Sequence, residues 1–264
     1  MGIGRGCAVA LAMAGADVAI VDMNEKVGPR TAASLKARGV DSFFVRCDVS
    51  DRQQVQEMTA AVVKRLGRLD IGINNAGFGI VGPSETLEQS EWDRVVAVNL
   101  TGAFLCAQVQ AQQMIQQTPT AGKIVNIASM YGLIAGGNCS YNAAKAGLIH
   151  LTHSLAAEWG RFNINVNCIS PSWTMTPGMI ETTVEERARM REITPMGHVQ
   201  RPEDIYGAVL YLASKASDFV TGHNLVVDGG HTVNTWFTPL KRDIPPRVSP
   251  EEEIREALKD LEAI

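Results

Sequence analysis

The chain has 264 residues, of which 45% are hydrophobic and 20% charged, and its formal net charge is -4 at pH 7. This length suits one large domain with a real core, and a negative charge without a basic stripe argues against a nucleic-acid-binding protein. No apolar run approaches the roughly 20 residues of a membrane span, and Met1 to Arg5 lack the charged region and cleavage site of a secretory signal. We therefore expect neither a nucleic acid nor a membrane as partner.

Short runs rich in Val and Ile alternate with longer helical patterns along the chain. The predicted strands are Val18–Val21, Ser42–Arg46, Ile71–Asn74, Lys123–Ala128, Asn165–Ile169 and Leu225–Val227. The predicted helices are Arg5–Ala14, Asn24–Arg38, Asp51–Leu66, Gln89–Gln117, Tyr141–Gly160, Val184–Ile193 and Pro202–Ser214. Near-continuous apolar strands separated by helices indicate a parallel sheet covered on both faces. We predict a single α/β domain in three layers around a doubly wound, Rossmann-like parallel sheet.

Glycines and an acidic residue mark the first helix and the first strand. Gly2-Ile3-Gly4 precedes the predicted helix, where backbone amides can approach a pyrophosphate and the helix dipole attracts it. Asp22 ends the strand 18 residues after Gly4, close to the spacing at which a carboxylate binds adenosine ribose hydroxyls. Because a carboxylate repels a 2′-phosphate, Asp22 favours NAD over NADP. Without Asp22, an ordinary tight turn would explain the glycines equally well.

Two further strand ends carry residues that suit the same cofactor. Asp48 and Val49 could place a carboxylate and an apolar side chain around an adenine ring. Asn75, Ala76 and Gly77 close the next strand with small or amide side chains, so that a ligand could pass close to the backbone. Each group alone could be an ordinary turn. Together they would lie at the carboxyl ends of parallel strands, where open α/β sheets bind ligands.

The end of the fourth strand and the following helix carry residues suited to carbonyl–alcohol interconversion. Tyr141 and Lys145 are four residues apart and would share one helix face. We expect the ammonium of Lys145 to lower the pKa of the Tyr141 phenol from about 10, so that Tyr141 can exchange a proton with a carbonyl oxygen near neutral pH. Ser129 could hold the same oxygen. Ser140 and Tyr131 are alternatives to Ser129, although Ser140 adjoins Tyr141 and should point elsewhere.

Two segments fall outside the alternation of strands and helices. We interpret residues 174–200 as a lid over the substrate, and residues 233–264 as an extension beyond a domain of residues 1–232. In the extension, Ser249 to Glu252 form a predicted capping box with Pro at the first helical position. A narrow apolar stripe on the helix that follows indicates packing on this domain or on a neighbouring subunit. The stripe consists of Ile254, Leu258 and Leu261.

The cysteines give no sign of a disulfide framework or a metal site. They are scattered, odd in number and flanked by apolar residues, without any Cys-x-x-Cys pair. We expect reduced, mostly buried thiols and a cytoplasmic protein. The five are Cys7, Cys47, Cys106, Cys139 and Cys168.

Taken together, these motifs resemble those of the short-chain dehydrogenases/reductases over about Met1 to Thr232. The matching pieces, in chain order, are Gly2-Ile3-Gly4, Asp22, Asp48-Val49, Asn74-Asn75-Ala76-Gly77, Asn99 within Val98-Asn99-Leu100-Thr101-Gly102, Ser129, Tyr141 with Lys145, Pro171 with Thr176, and Asp228-Gly229-Gly230. So many matches in the family's order are specific for the family and say little about the substrate.

The resemblance implies a role for each matching residue of the catalytic set. Tyr141 would be the general acid or base, and Lys145 would lower its pKa and bind the nicotinamide ribose. Ser129 would hydrogen-bond the substrate oxygen. Asn99 would hold a water that connects Lys145 to solvent as a proton relay.

The resemblance also implies which residues hold the cofactor. Asp48 and Val49 would flank the adenine, and Asn75, Ala76 and Gly77 would line the adenosine side. Thr174, mainly through its backbone, and Thr176 would contact the nicotinamide carboxamide or the phosphates.

By this resemblance the protein is an NAD-dependent alcohol dehydrogenase or ketone reductase of a small polyol, sugar or related hydroxy compound. An NADP-linked 3-oxoacyl reductase and a cofactor-binding protein without catalytic activity are the alternatives. Asp22 argues against the first, and the full set of Ser129, Tyr141, Lys145 and Asn99 argues against the second. Members of the family are usually dimers or tetramers built on the helices after Asn99 and after Tyr141, so we expect a homo-oligomer, with a homotetramer as the working assumption.

The chain departs from the family pattern in two places. The family's Pro-Gly is Pro171-Ser172 here, and Ser172 should cost little unless its backbone needs a positive φ. The family also carries an apolar first strand and a Thr-Gly pair ahead of Gly2, and that strand would lie between the strands ending at Asp22 and Asn74. We therefore expect that Met1 is not the native N-terminus, and that upstream codons encode this strand.

Overall fold

The computed structural model describes residues 2–179, 182–234 and 247–262, and within these ranges it contains six strands and nine α-helices. The strands are β1 (Val18–Asp22), β2 (Ser42–Arg46), β3 (Ile71–Asn74), β4 (Gly122–Ile127), β5 (Ile164–Pro171) and β6 (Asn224–Val227). The helices are α1 (Gly2–Met13), α2 (Val27–Lys36), α3 (Arg52–Leu66), α4 (Gln89–Val96), α5 (Ala103–Gln116), α6 (Cys139–Trp159), α7 (Val184–Ile193), α8 (Tyr206–Ala213) and α9 (Pro250–Glu262). The predicted strands are confirmed, with ends shifted by a few residues, and so are the predicted helices other than Gln89–Gln117 and Pro202–Ser214. In the latter, a 3-10 turn over Pro202–Ile205 precedes α8. Pro239, Pro245 and Pro246 of the predicted extension lie outside the described residues.

The strands form parallel ladders in two groups. β3, β4, β5 and β6 pair in that order, and β1 pairs separately with β2. The facing edges of β1 and β3 are not hydrogen-bonded to each other, and a cavity of about 810 Å³ opens between them. In the described residues the sheet is therefore divided between β1 and β3.

Helices cover both faces of the strands and bury an apolar core on each side. On one face, α1 and α8 contribute Cys7, Leu11 and Val209 to a core with Val125 of β4. On the other face, α5 and α6 pack on β4 and β5, and α3 packs beside α5. This confirms the three-layer, doubly wound architecture. All five cysteines are free, and burial raises the pKa of the Cys7 thiol to about 12.

The helical segment from Gln89 to Gln116 is continuous but not uniform, which corrects the prediction of one α-helix over Gln89–Gln117. It widens into a π-helical turn over Ala97–Gly102. There, Nδ2 of Asn99 donates to the carbonyl oxygen of Val95 at 2.9 Å, so a side chain takes an acceptor that helical backbone would otherwise use. Such turns are frequent at functional sites. This segment is long and apolar enough to cross a membrane, but core helices of globular proteins often are as well. Half of its most apolar stretch is buried inside the structure.

The C-terminal helix α9 is anchored by a fully buried carboxylate. The predicted capping box is confirmed, because the Ser249 hydroxyl accepts from the Glu252 N–H and the Glu252 carboxylate accepts from the Ser249 N–H. One oxygen of Glu253 accepts from the guanidinium of Arg191 at 2.6 and 2.8 Å, and the other accepts from the Val199 N–H at 2.8 Å. These bonds join the tail to both α7 and the segment after it.

The apolar stripe of α9 is only partly visible in its contacts. Ile254 packs with Met175 and Val199, whereas Leu258 is 41% exposed. The side chain of Leu261 lies outside the described residues. Among the described side chains, α9 therefore contacts residues 174–200 through Glu253 and Ile254.

We predict that Glu253→Gln lowers the free energy of unfolding by about 3 kcal/mol, because it leaves the Arg191 guanidinium without its buried counter-charge. Urea unfolding measures this value, and hydrogen exchange of residues 182–200 should accelerate. Glu251→Gln is the matched control, since Glu251 lies on the same helix and is exposed. Equal stability of the two variants would contradict a buried anchor.

Candidate active site

The cavity between β1 and β3 brings together most residues that the sequence predicts to bind a dinucleotide. They come from the start of α1 and from the carboxyl ends of three strands, although these positions are far apart in the chain. The residues on its wall are Gly4, Asp22, Asp48, Val49, Asn75, Ala76 and Gly77. Ile3 does not share this arrangement, because its side chain packs against the core beside α8. Only the backbone of Ile3 could therefore face a ligand.

Two glycines at the start of α1 allow close approach of neighbouring segments. A Cβ at Gly2 would lie 2.7 Å from Cγ2 of Thr176, and the φ of Gly2 is +59°. A Cβ at Gly4 would lie 2.7 Å from Nδ2 of Asn75. The prediction that these glycines precede the helix is wrong, since α1 begins at Gly2. The first amides of a helix have no acceptor within that helix, so this shift places backbone N–H groups of α1 at the cavity, whose wall includes Gly4.

Asp48 and Asp22, the two candidate carboxylates at the cavity, differ in the number of hydrogen bonds that they accept within the protein. One oxygen of Asp48 accepts from both the backbone N–H and the hydroxyl of Ser50. Asp22 is exposed, and one of its oxygens accepts from the Asn24 N–H at 2.9 Å. Within the described residues the other oxygen of Asp22 has no partner, so it can accept hydrogen bonds from a ligand.

Strand β4 and helix α6 bring Ser129, Tyr141 and Lys145 together. Ser129 follows β4, and Asn138 caps α6 by accepting the Tyr141 N–H at 3.2 Å. The Lys145 ammonium lies 5.4 Å from the centroid of the Tyr141 ring and donates to the carbonyl oxygen of Ile127 at 2.8 Å. The carbonyl therefore fixes the lysine beside the phenol. Ser140 is fully buried, and its hydroxyl donates to Oδ1 of Asn138 at 3.4 Å.

Burial shifts the pKa values of both Tyr141 and Lys145, and the sequence alone does not show this effect. It raises the pKa of Tyr141, while the nearby Ser129 hydroxyl lowers it by a smaller amount. Burial also lowers the pKa of Lys145 to about 8. The prediction that Lys145 lowers the pKa of Tyr141 below its usual value is therefore wrong for the ligand-free chain. The ammonium hydrogen-bonds to a backbone carbonyl, and desolvation disfavours both charged forms.

Asn99 lies beside Lys145 with an acceptor atom available. Its Nδ2 donates to the carbonyl oxygens of Val95 and Phe78, whereas its buried Oδ1 has no hydrogen-bond partner in the part of the chain that the structure describes. A Cβ at Gly77 would lie 2.4 Å from this Oδ1 and 3.3 Å from Nζ of Lys145. Gly77 therefore leaves the space through which the two polar groups face each other.

A buried amide network, which the sequence analysis missed, lies beneath these residues. Asn74 and Gln110 exchange hydrogen bonds, Asn74 also donates to Asn126, and Asn126 donates to the Thr152 hydroxyl. The network joins β3 and β4 to α5 and α6. Only the polar character of these residues within apolar segments signals it in the sequence, because the partners are far apart in the chain.

Gln200 is a second residue that the sequence analysis missed. Its Oε1 accepts from the Ser172 N–H and from the Thr174 hydroxyl, and its Nε2 donates to the carbonyl oxygen of Val227. The Thr174 hydroxyl is thus already engaged, which leaves its backbone for a ligand. Ser172 does not have a positive φ, so serine replaces the family's glycine without backbone strain.

Comparisons with known proteins agree on one family. A family model described as enoyl-(acyl carrier protein) reductase matches residues 1–232. D-threitol dehydrogenase of Mycolicibacterium smegmatis is 37% identical over 235 residues, which cover 88% of this chain and 89% of the relative. A short-chain type dehydrogenase/reductase from Mycobacterium marinum has a TM-score of 0.83 at 35% identity, over 88% of this chain and 91% of that chain.

A further solved structure shows which ligands one such relative holds. Gluconate 5-dehydrogenase from Burkholderia cenocepacia, solved in complex with NADP and tartrate, has a TM-score of 0.83 at 33% identity. The match covers 88% of this chain and 92% of that chain.

Because Lys145 is buried and its pKa is lowered, we expect the stability of the fold to increase with pH in the alkaline range. With the pKa of Lys145 lowered to about 8, the unfolded chain binds more protons than the folded one from about pH 8 to pH 10, so stability rises with pH in that window. We expect a gain of about 2 kcal/mol between pH 7.5 and 9.5 relative to Lys145→Met, measured by urea unfolding. Parallel pH profiles for the two proteins would show that Lys145 titrates normally.

Proposed function

The chain belongs to the short-chain dehydrogenase/reductase family and is an oxidoreductase acting on CH–OH groups, and from this premise we propose that it oxidises a small polyol or sugar alcohol with NAD. The full set of Ser129, Tyr141 and Lys145 beside Asn99 carries the proposal. D-threitol dehydrogenase and gluconate 5-dehydrogenase among its relatives support the substrate class. The NADP-linked 3-oxoacyl reductase is not favoured by these names.

The residues of the cavity fit a dinucleotide. Small residues at Gly4, Ala76 and Gly77 line its wall, and the α1 amides would bind the phosphates. Asp22 would accept hydrogen bonds from the adenosine ribose, while Asp48 and Val49 would flank the adenine. The exposed carboxylate of Asp22 supports NAD rather than NADP.

Asn75, Ala76 and Gly77 would line the adenosine side of the same site. Other residues would form its nicotinamide side. The Thr174 backbone and Thr176 would meet the nicotinamide or the phosphates, with Tyr141 and Lys145 beside its ribose.

The proposed reaction separates a hydride and a proton from the alcohol. Bound NAD supplies the hydride acceptor. Ser129 holds the reacting oxygen, and Tyr141 in its deprotonated form takes the proton of that oxygen as the carbonyl forms. Because burial raises the pKa of Tyr141, this form is the minor one near neutral pH. Such general-base help contributes about 10²–10⁴ in rate. Lys145 and the open acceptor of Asn99 then offer the proton a route towards solvent through ordered water. The reverse sequence reduces a ketone.

We extend the proposal to the assembly and its location. A homotetramer, or a dimer, would use α5 and α6, by analogy with the family. Light scattering of the purified protein measures the mass. The five free cysteines support a cytoplasmic location.

We predict that Asp22→Ala shifts cofactor preference towards NADP by about tenfold in the ratio of kcat/KM values, because it removes the charge that repels a 2′-phosphate. Steady-state kinetics with NAD and NADP measures the ratio. Glu25→Ala is the control, since it removes an exposed charge from the same loop. An equal shift from both variants would indicate a general field effect, and a preference of the unmutated protein for NADP would refute the role of Asp22.

We predict that Tyr141→Phe lowers kcat by at least about 10²-fold, because phenylalanine cannot transfer the proton. NAD affinity, measured by calorimetry, should change little. Tyr211→Phe is the matched control, because Tyr211 is a partly exposed tyrosine on α8. Full activity of Tyr141→Phe would exclude Tyr141 as the base.

A further inference from the structure

A second phenol lies next to Ser129. Tyr131 follows Ser129 by two residues, and its backbone N–H donates to the Ser129 hydroxyl at 3.1 Å. The turn that positions Ser129 therefore also positions Tyr131. The charge of an ionised Tyr131 would raise the pKa of Tyr141, so the two phenols are close enough to interact.

A hydrogen bond from Trp173 makes the Tyr131 hydroxyl an acceptor in that bond and leaves the hydroxyl proton to be donated elsewhere. The indole Nε1 of Trp173 lies 3.0 Å from the Tyr131 hydroxyl oxygen. Because an indole N–H can only donate, the phenol oxygen is the acceptor and keeps its proton for another group. Over residues 2–179, 182–234 and 247–262 no acceptor for that proton is found. Burial raises the pKa of Tyr131, so the proton stays in place near neutral pH.

Packing holds this phenol and its partner in one orientation. A Cβ at Gly136 would lie 2.3 Å from Cε1 of Tyr131, so the loop backbone packs directly on the ring. The Trp173 ring meets Tyr131 edge to face, with centroids 6.4 Å apart. The buried His231 ring packs against Trp173 with a centroid distance of 4.5 Å. The Tyr131 hydroxyl is thus a preorganised donor.

We propose that Tyr131 donates its hydroxyl proton to a second substrate oxygen, on the carbon next to the reacting one, and that Trp173 is the positioning residue for this bond. The proposal rests on the proposed function and narrows its substrate class to vicinal diols and the matching 2-hydroxy ketones. Ser129 and Tyr141 hold the reacting oxygen, while Tyr131, on the same turn as Ser129, binds the neighbouring one. A simple alcohol leaves this donor without a partner, which weakens its binding.

Butane-2,3-diol and butan-2-ol test this difference, since they share a carbon skeleton and differ by one hydroxyl group. We expect Tyr131→Phe to lower kcat/KM for the diol by about 10- to 100-fold and to change that for the mono-alcohol by less than about threefold. Trp173→Phe keeps an aromatic ring but removes the indole N–H. It should raise KM for the diol with little change in kcat.

Tyr211→Phe serves as the matched control, and thermal melts establish that each variant is folded. An equal loss for both alcohols, or no loss for the diol, would overturn the proposal for Tyr131. A fall in kcat without a change in KM would overturn the positioning role of Trp173.

Calorimetry separates this proposal from the proposed function. If the unmutated protein oxidises neither of these alcohols, nor D-threitol, with NAD, the proposed function fails. Binding of butane-2,3-diol in the presence of NAD still tests Tyr131. Binding that Tyr131→Phe weakens at least tenfold supports the proposal, whereas absent or unaltered binding overturns it.

Discussion

A buried row of amide side chains fixes the carboxyl edge of the sheet on which the site is built. Asn74, Gln110 and Asn126 satisfy one another between β3, β4 and α5, and Thr152 extends the row to α6. Because each amide is out of water, loss of one partner would leave another unsatisfied at a cost of about 1–3 kcal/mol. The strand ends and helices that carry Asn99, Ser129 and Lys145 therefore cannot shift independently.

Within this frame, desolvation rather than charge pairing governs the pKa values of Tyr141 and Lys145, the pair that we propose to be catalytic. Lys145 reaches its position by donating to the carbonyl oxygen of Ile127, and burial moves both its pKa and that of Tyr141 towards the neutral forms. Spacing on a helix shows which groups meet. Spacing does not show how far burial removes these groups from water. For this reason the sequence predicts that the two residues meet, but predicts the wrong direction for the pKa shift of Tyr141.

The sequence shows local spacing but not contacts between distant segments, and this difference decides which features of the molecule it predicts. Periodicity places the strands and helices, and strand ends gather Asp22, Asp48 and Gly77 at one cavity. Contacts between distant segments leave no comparable pattern. Glu253 looks like one more acid on a charged helix, yet it is fully buried against Arg191. Only the folded arrangement gives these residues their partners, so neither propensity nor motif could identify them.

The proposed proton pathway runs through Asn99 and Lys145, and the proposed recognition of the second oxygen depends on Tyr131 and Trp173. These two pairs are joined to the fold by different contacts. Asn99 and Lys145 are held by the π-helical turn and by the end of β4. Trp173 follows β5, which leads into the segment that Gln200 and the tail helix anchor. A change in that segment can move Trp173, and with it the Tyr131 hydroxyl that Trp173 positions, without moving Lys145. Such a division lets one proton-transfer site serve different alcohols, because the chemistry needs one fixed geometry and recognition does not.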